Sequence, residues 1–311
     1  MTDIKRLGLG CMGMNLANKE RSVETIHYAL ENGVTLLNTG DFYGAGESEL
    51  VLREALKGIP RDKYFLSVKF GVLPSPDGGI YGLDVNPFNI KAHLTYSLRR
   101  LGLDYIDLYQ PARMDESIPV EDIMGALAEL VKEGYIGSIG LTQLSPENLQ
   151  RAVKVHPIRL LELCYSLANR SIETNGLLQT ARENKIDILA FGVLSHGLLS
   201  DAPSASEAAG RRTLPEETKE KLLSNLRLIA QEKQTTVENL AQAYVYSKNP
   251  DMSVLIGTTR KEHLQASIDA LTINLSQSDI QKIEEVFPAE ILSSMQMRTV
   301  TFNHGRITSI K

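Results

Sequence analysis

Two residues of the 311-residue chain could share one piece of chemistry, Tyr43 and Lys69. A tyrosine beside a glycine is ordinarily a packing residue, and a lysine at the end of an apolar run is ordinarily solvated. Together they make a tuned acid, because a nearby ammonium favours the phenolate and draws the phenol below its reference pKa of about 10. A hydride delivered to a carbonyl carbon leaves an alkoxide, and that oxygen needs a proton from a donor matched to neutral pH. The pair suits carbonyl reduction, or alcohol oxidation in the reverse direction. It requires an architecture that sets the ends of two successive strands side by side.

The apolar pattern supplies one. Short, nearly continuous apolar runs at 4–10, 34–39, 64–70, 105–110, 136–142, 158–165, 186–192 and 253–258 read as parallel strands covered on both faces. Helix-period segments at 22–32, 47–56, 87–101, 120–132, 146–153, 174–184 and 215–248 lie between them. Gly33 stands at a left-handed helix exit, and Ser145-Pro146-Glu147 reads as a cap followed by a first-turn proline. Such alternation implies an α/β fold, a closed (β/α)8 TIM barrel in one domain over 1–311, with a doubly wound open sheet as the alternative. The 201–212 stretch reads as a mobile surface loop. The tail from about 289 is expected to fold back over the barrel mouth, shaping the substrate pocket together with the loop at 75–85.

Composition excludes several classes. With 33 Lys plus Arg against 38 Asp plus Glu, a formal charge of −5 gives no reason to expect nucleic acid or an anionic membrane surface as partner. No apolar run approaches the roughly 18 residues of a membrane span, and the N-terminus lacks a secretory layout. Cys11 and Cys164 are the only cysteines, too few for a disulfide framework or a cysteine-rich zinc site, and no His and carboxylate cluster suggests a metal. The expected compartment is the reducing cytoplasm.

Barrel enzymes carry their chemistry at the C-terminal ends of the strands. There the runs 7–13 (LGLGCMG), 38–44 (NTGDFYG), 68–71 (VKFG), 97–109 (SLRRLGLDYIDLY) and 139–142 (IGLT) strongly resemble the aldo-keto reductases, in order from about residue 4 to 287. The resemblance implies a (β/α)8 barrel that binds NADP(H) without a Rossmann fold and reduces aldehydes or ketones. It places the proton donor on Tyr43 and its lysine on Lys69. Two further catalytic positions depart from the family: Asn38 stands where it has an Asp, and Ala112 where it has a His. Lys69 is then expected to be unpaired, with an effect on Tyr43 of up to roughly 4 kcal/mol at 4 Å and an effective dielectric of 20. Tyr43 should ionise more readily in consequence. Asp41 is a possible replacement carboxylate, and Ala112 opens room beside Arg113 for a bulkier or ring-bearing carbonyl.

For the cofactor, the resemblance implies contacts from Gly10, Cys11 and Met12 after the first strand, and from Thr142 and Gln143 to the nicotinamide amide. Glu162 stands where a Gln is usual, and Phe191 where a Tyr ring stacks on the nicotinamide. Gly192 and Leu194 are further cofactor positions, and His196 falls over the phosphates or is an ordinary surface histidine. Gly257, Thr258 and Arg260 match the phosphate end, where Arg260 suits a 2′-phosphate and so NADP over NAD. The 263–267 run (HLQAS) departs from the family's usual ending. The lost Asp and His, with the 111–115 run (PARMD), look most like the pyridoxal reductase branch and suggest a vitamin B6 aldehyde. The second reading is a barrel that holds NADPH and senses redox state without useful turnover. Either way the partner is a small molecule, and a homo-oligomer is left open.

Overall fold

The computed structural model describes residues 6–200, 214–288, 291–292 and 300–310. In chain order the first strands are β1 (Leu7–Gly10), β2 (Leu36–Gly40), β3 (Phe65–Phe70), β4 (Val72–Pro74), β5 (Ile80–Leu83) and β6 (Ile106–Pro111). They are followed by β7 (Ile136–Thr142), β8 (Ile158–Cys164), β9 (Asp187–Phe191), β10 (Met252–Gly257), β11 (Val300–Asn303) and β12 (Arg306–Ile310). Eight of these close into a parallel barrel in the order β1-β10-β9-β8-β7-β6-β3-β2. The expected (β/α)8 barrel is the observed fold, and each barrel strand lies within two or three residues of its expected place.

Alternation along a strand sends every second side chain inward. Leu36, Phe65, Leu108, Leu160, Leu189 and Leu255 meet inside the barrel as a separate apolar layer. Each buried leucine of that layer stabilises the fold by roughly 2 kcal/mol. Two residues further along four of these strands the inward positions turn polar, Asn38, Ser67, Gln110 and Glu162, with Lys69 two residues beyond Ser67, all buried. The apolar layer is the floor on which the polar one stands.

Helices cover the outside: α1 (Lys19–Glu31), α2 (Glu47–Ala55), α3 (Pro87–Leu101), α4 (Val120–Lys132), α5 (Pro146–Ala152) and α6 (Leu177–Glu183), then α7 (Glu216–Glu232), α8 (Val237–Lys248), α9 (Lys261–Ala270) and α10 (Gln277–Glu285). α3 shows why its ends were readable: Asn86 accepts from Phe88 N–H, Pro87 occupies the first turn, and Gly102 exits at φ 69°. α4 buries Val120, Ile123, Met124, Leu127 and Leu130, one stripe at helical spacing. The single segment expected at 215–248 is two helices, because Thr236 caps a new start by accepting from Asn239 N–H. α1 begins three residues earlier than expected, and Ser22 lies inside it, donating to Asn18 Oδ1 at 2.6 Å.

A second, four-stranded sheet in the order β11-β12-β5-β4 stands beyond the C-terminal end of β3. Asp115, just after β6, fastens its tail hairpin by accepting from His304 N–H at 3.1 Å and Gly305 N–H at 2.6 Å. Burial opposes the charge on Asp115, but these bonds and those from Ser117 outweigh it and hold the carboxyl below its ordinary value. The surface loop expected at 201–212 lies outside the described residues. Among the described residues no helix is long and apolar enough to cross a membrane.

Candidate active site

Tyr43 follows β2 in a turn where Gly44, Ala45 and Gly46 take φ values of 57°, 50° and 100°. Glycine adopts that region without steric cost, whereas Ala45 stores strain of roughly 1 kcal/mol. The turn brings the Tyr43 ring over the end of β3, with Lys69 Nζ 5.3 Å from its centroid. Phe42 braces the ring edge-on at 4.6 Å. Asp41 N–H donates to Lys69 O at 2.9 Å and ties the loop to β3.

Lys69 is not the unpaired cation that Asn38 led us to expect. Its Nζ lies 2.9 Å from Glu162 Oε1, and both side chains are almost wholly buried. Glu162 comes from β8, which stands four places from β2 in the eight-strand ring, on the opposite wall. Asn38 bridges the two charges: its Oδ1 accepts from Lys69, and its Nδ2 donates to Glu162 Oε2 at 2.8 Å. Gln110 Nε2 donates to the same oxygen at 2.8 Å, and both amides also reach Ser67 Oγ at 3.1 Å. The cluster spans the barrel, with one ammonium and one carboxylate that balance. Gly140 on β7 leaves the space for this, since a Cβ there would meet Gln110 Oε1 at 2.7 Å.

The effect expected on Tyr43 is reversed, first by burial and then by the Glu162 charge. Burial raises the phenol above its ordinary value; Lys69 pulls it down, but Glu162 pushes it up again. Tyr43 is therefore held as a protonated acid and not as a ready phenolate. Burial opposes the charge on Lys69, yet Glu162 and Tyr43 outweigh it and raise its pKa, so the ammonium persists. Nor is Asp41 the replacement carboxylate. It faces His93 on α3, whose Nδ1 lies 3.3 Å from Asp41 Oδ2 while Nε2 lies 3.4 Å from Asp84 Oδ2. The hydrogen bond with Asp41 raises the His93 pKa against burial.

On the β6 side, Ala112 is buried and Arg113 follows it, half-buried, donating from Nη1 to Ala112 O at 2.6 Å. Burial lowers the Arg113 pKa, and the surrounding groups that act on its charge are Tyr43, Glu162 and Cys164. Of the expected cofactor residues, Cys11 does not present its side chain: the thiol is sealed in the core, donating to Leu9 O, and burial pushes it up to about 12. Met12 beside it is 65% exposed. Thr142 spends its hydroxyl proton on Pro111 O and Ala112 O. Gln143, at φ 44°, accepts from Cys164 N–H through Oε1 and keeps its amide protons for another partner. Glu162, expected at the cofactor, is instead the counter-charge of Lys69.

Phe191 is half-buried at the end of β9, followed by Gly192 at φ 69° and by half-buried Leu194. His196 is described only through its backbone, in the turn Ser195–Gly197. Gly10 and Gly257 are register partners across β1 and β10. Arg260 precedes α9, its N–H donating to Thr258 Oγ1 at 3.1 Å, and among the described residues it has no ion pair. Gln110, Ser67 and His93 did not stand out in the sequence. Gln110 and Ser67 carry a signal in retrospect, being polar at inward positions of otherwise apolar strands. His93 lies on a helix and carries none.

The aldo/keto reductase family profile matches residues 6–287. The chain belongs to this family. A relative described as probable aldo-keto reductase 1 from Glycine max is 32% identical over 302 residues, covering 92% of this chain and 86% of that protein. Among solved structures, an aldo-keto reductase from Bacillus halodurans in its holo form is 26% identical, with a TM-score of 0.75 over 91% of this chain and 92% of that one. A glycerol dehydrogenase from Gluconobacter oxydans superposes with a TM-score of 0.82 over 92% of each chain; at 24% identity that likeness speaks for the fold. As an aldo-keto reductase the chain is an oxidoreductase.

Proposed function

We propose that this aldo-keto reductase interconverts a carbonyl compound and its alcohol with NADP(H), using Tyr43 as the proton donor and acceptor. The observation that carries the reading is the buried Glu162–Lys69 pair set against a half-buried Tyr43 that is held protonated. The phosphate end fits the cofactor. Among the described residues the first-turn N–H groups of α9 have no side-chain cap and Arg260 has no ion pair, and a Cβ on Gly10 would approach Gly257 Cα to 3.4 Å. Gln143 is the residue left to hold the nicotinamide amide, with Phe191 as the apolar wall. A bound nicotinamide cofactor supplies or takes the hydride.

In reduction Tyr43 gives its proton to the carbonyl oxygen. Lys69 then steadies the phenolate, and Glu162 keeps Lys69 charged through the cycle. Asn38 and Gln110 both donate to Glu162 Oε2 while Lys69 holds Oε1, so the counter-charge cannot swing into the pocket. Glu162 thus acts through Lys69, as a positioning residue. The tail hairpin and β4–β5 stand on the Tyr43 side of the barrel and would bound the substrate pocket within a single domain. A vitamin B6 aldehyde such as pyridoxal is one substrate to test.

The test is NADPH consumption over a carbonyl panel that includes pyridoxal. One member should be turned over rapidly, and Tyr43→Phe should lower kcat by about 10²–10⁴-fold while leaving NADPH affinity within about threefold. Tight NADPH binding with no turnover of any carbonyl or alcohol would replace this reading with a cofactor-sensing barrel.

A further inference from the structure

The charges around Tyr43 do not sum to zero. Glu162 neutralises Lys69 at 2.9 Å, and Tyr43 is held protonated. Arg113 remains. Among the described residues its one hydrogen bond is from Nη1 to Ala112 O, and none of their carboxylates forms an ion pair with it. Among the described residues, none of its other nitrogens is both sealed from solvent and without a hydrogen bond. A guanidinium carries five N–H donors in a fixed fork, and the described residues satisfy only one of them.

The cofactor's phosphates are not the natural partner. Arg113 follows β6, and the proposed phosphate-binding residues Gly257, Thr258 and Arg260 follow or end β10. Those strands lie four places apart in the ring, on opposite walls of the barrel. Tyr43, after β2, and Lys69, on β3, stand on the Arg113 side, because β3 is the neighbour of β6 and β2 the next strand along. Ala112, buried and small, precedes Arg113 in the chain and brings no polar side chain of its own to this side of the barrel.

We propose that Arg113 is a specificity residue that receives an oxyanion on the substrate, so that the preferred substrates are carbonyl compounds bearing a carboxylate or comparable anionic oxygen near the reacting carbon. This rests on the oxidoreductase reading and adds the substrate class to it. In a partly desolvated pocket the bidentate pairing of a guanidinium with a carboxylate is strong and directional. The same cation penalises a neutral isostere, which leaves part of the fork dry and unpaired.

The experiment compares 2-, 3- and 4-formylbenzoate with the matching formylbenzamides, in the intact protein with NADPH. The expected result is that kcat/KM favours at least one carboxylate over its carboxamide by about 10- to 100-fold. Arg113→Ala should erase the preference through KM with kcat within about threefold, and Arg113→Lys should keep part of it. Activity without a carboxylate preference, or a preference that survives in Arg113→Ala, overturns the proposal and leaves the oxidoreductase reading intact. Absence of turnover on all six compounds counts against that reading instead. Calorimetric binding of the formylbenzoates to the NADPH-loaded protein then decides this proposal: binding lost in Arg113→Ala supports it, and equal or absent binding in both proteins overturns it.

Discussion

At the residue scale, the decisive feature is a carboxylate supplied from the far wall of the barrel. A buried ammonium without a counter-charge is costly, and removing one partner of a buried pair typically costs about 3–5 kcal/mol. Glu162→Gln should therefore lower stability in urea by about 3 kcal/mol. It should also move the alkaline limb of turnover to lower pH, since Lys69 would act on Tyr43 unopposed. Asn38→Asp alone should not improve the enzyme, because Asn38 Nδ2 sits 2.8 Å from Glu162 Oε2 and the change would set two carboxylates against each other. Combining Asn38→Asp with Glu162→Gln moves the charge to a side chain that already touches Lys69. The double variant should recover most of the lost stability and the original pH profile. An unchanged profile in Glu162→Gln would sink the assignment of Glu162 as the counter-charge.

At the scale of elements, His93 joins three segments: α3, the loop after β2 through Asp41, and the residue after β5 through Asp84. Its ring also lies 6.0 Å from that of Phe70 at the end of β3. The His93 pKa is raised in the folded protein. Its ionic contribution is therefore complete below its ordinary value of about 6.5 and is lost as pH rises through the raised value. Partial exposure keeps that contribution to about 1 kcal/mol. The stability difference between the wild type and His93→Gln should shrink across that window, as followed by urea unfolding from pH 5 to 9. A constant difference would mean that His93 acts by packing alone.

For the whole molecule, cofactor binding and folding are linked. NADPH at a hundred times its Kd should add about 2.7 kcal/mol of stability and raise Tm by about 5 °C. Arg260→Ala should weaken NADPH by about tenfold or more while leaving NADH nearly unchanged, because only NADPH carries the 2′-phosphate. Equal weakening of both would assign Arg260 to the shared part of the cofactor. The barrel geometry would divide the labour: the proposed phosphate-binding residues follow or end β10, Arg113 follows β6 on the opposite wall, and Tyr43 and Lys69 lie between them, after β2 and on β3.

The sequence by itself determined the barrel, because eight buried parallel strands and their capped helices are local patterns of apolar spacing and turn chemistry. α3 and α4 have the ends read from their residues, since Pro87, Gly102 and the apolar stripe of α4 act within a few positions. Tyr43 and Lys69 were legible for the same reason, each standing at the end of a recognisable strand. What only the tertiary structure decided was charge. Glu162 and Lys69 are 93 residues apart in the chain and belong to strands that are not neighbours, so no local pattern links them. Burial raises the Tyr43 pKa, and the pairing offsets part of the downward pull expected of Lys69, because the potential at a buried phenol depends on every charge within a few ångströms, whatever its place in the chain.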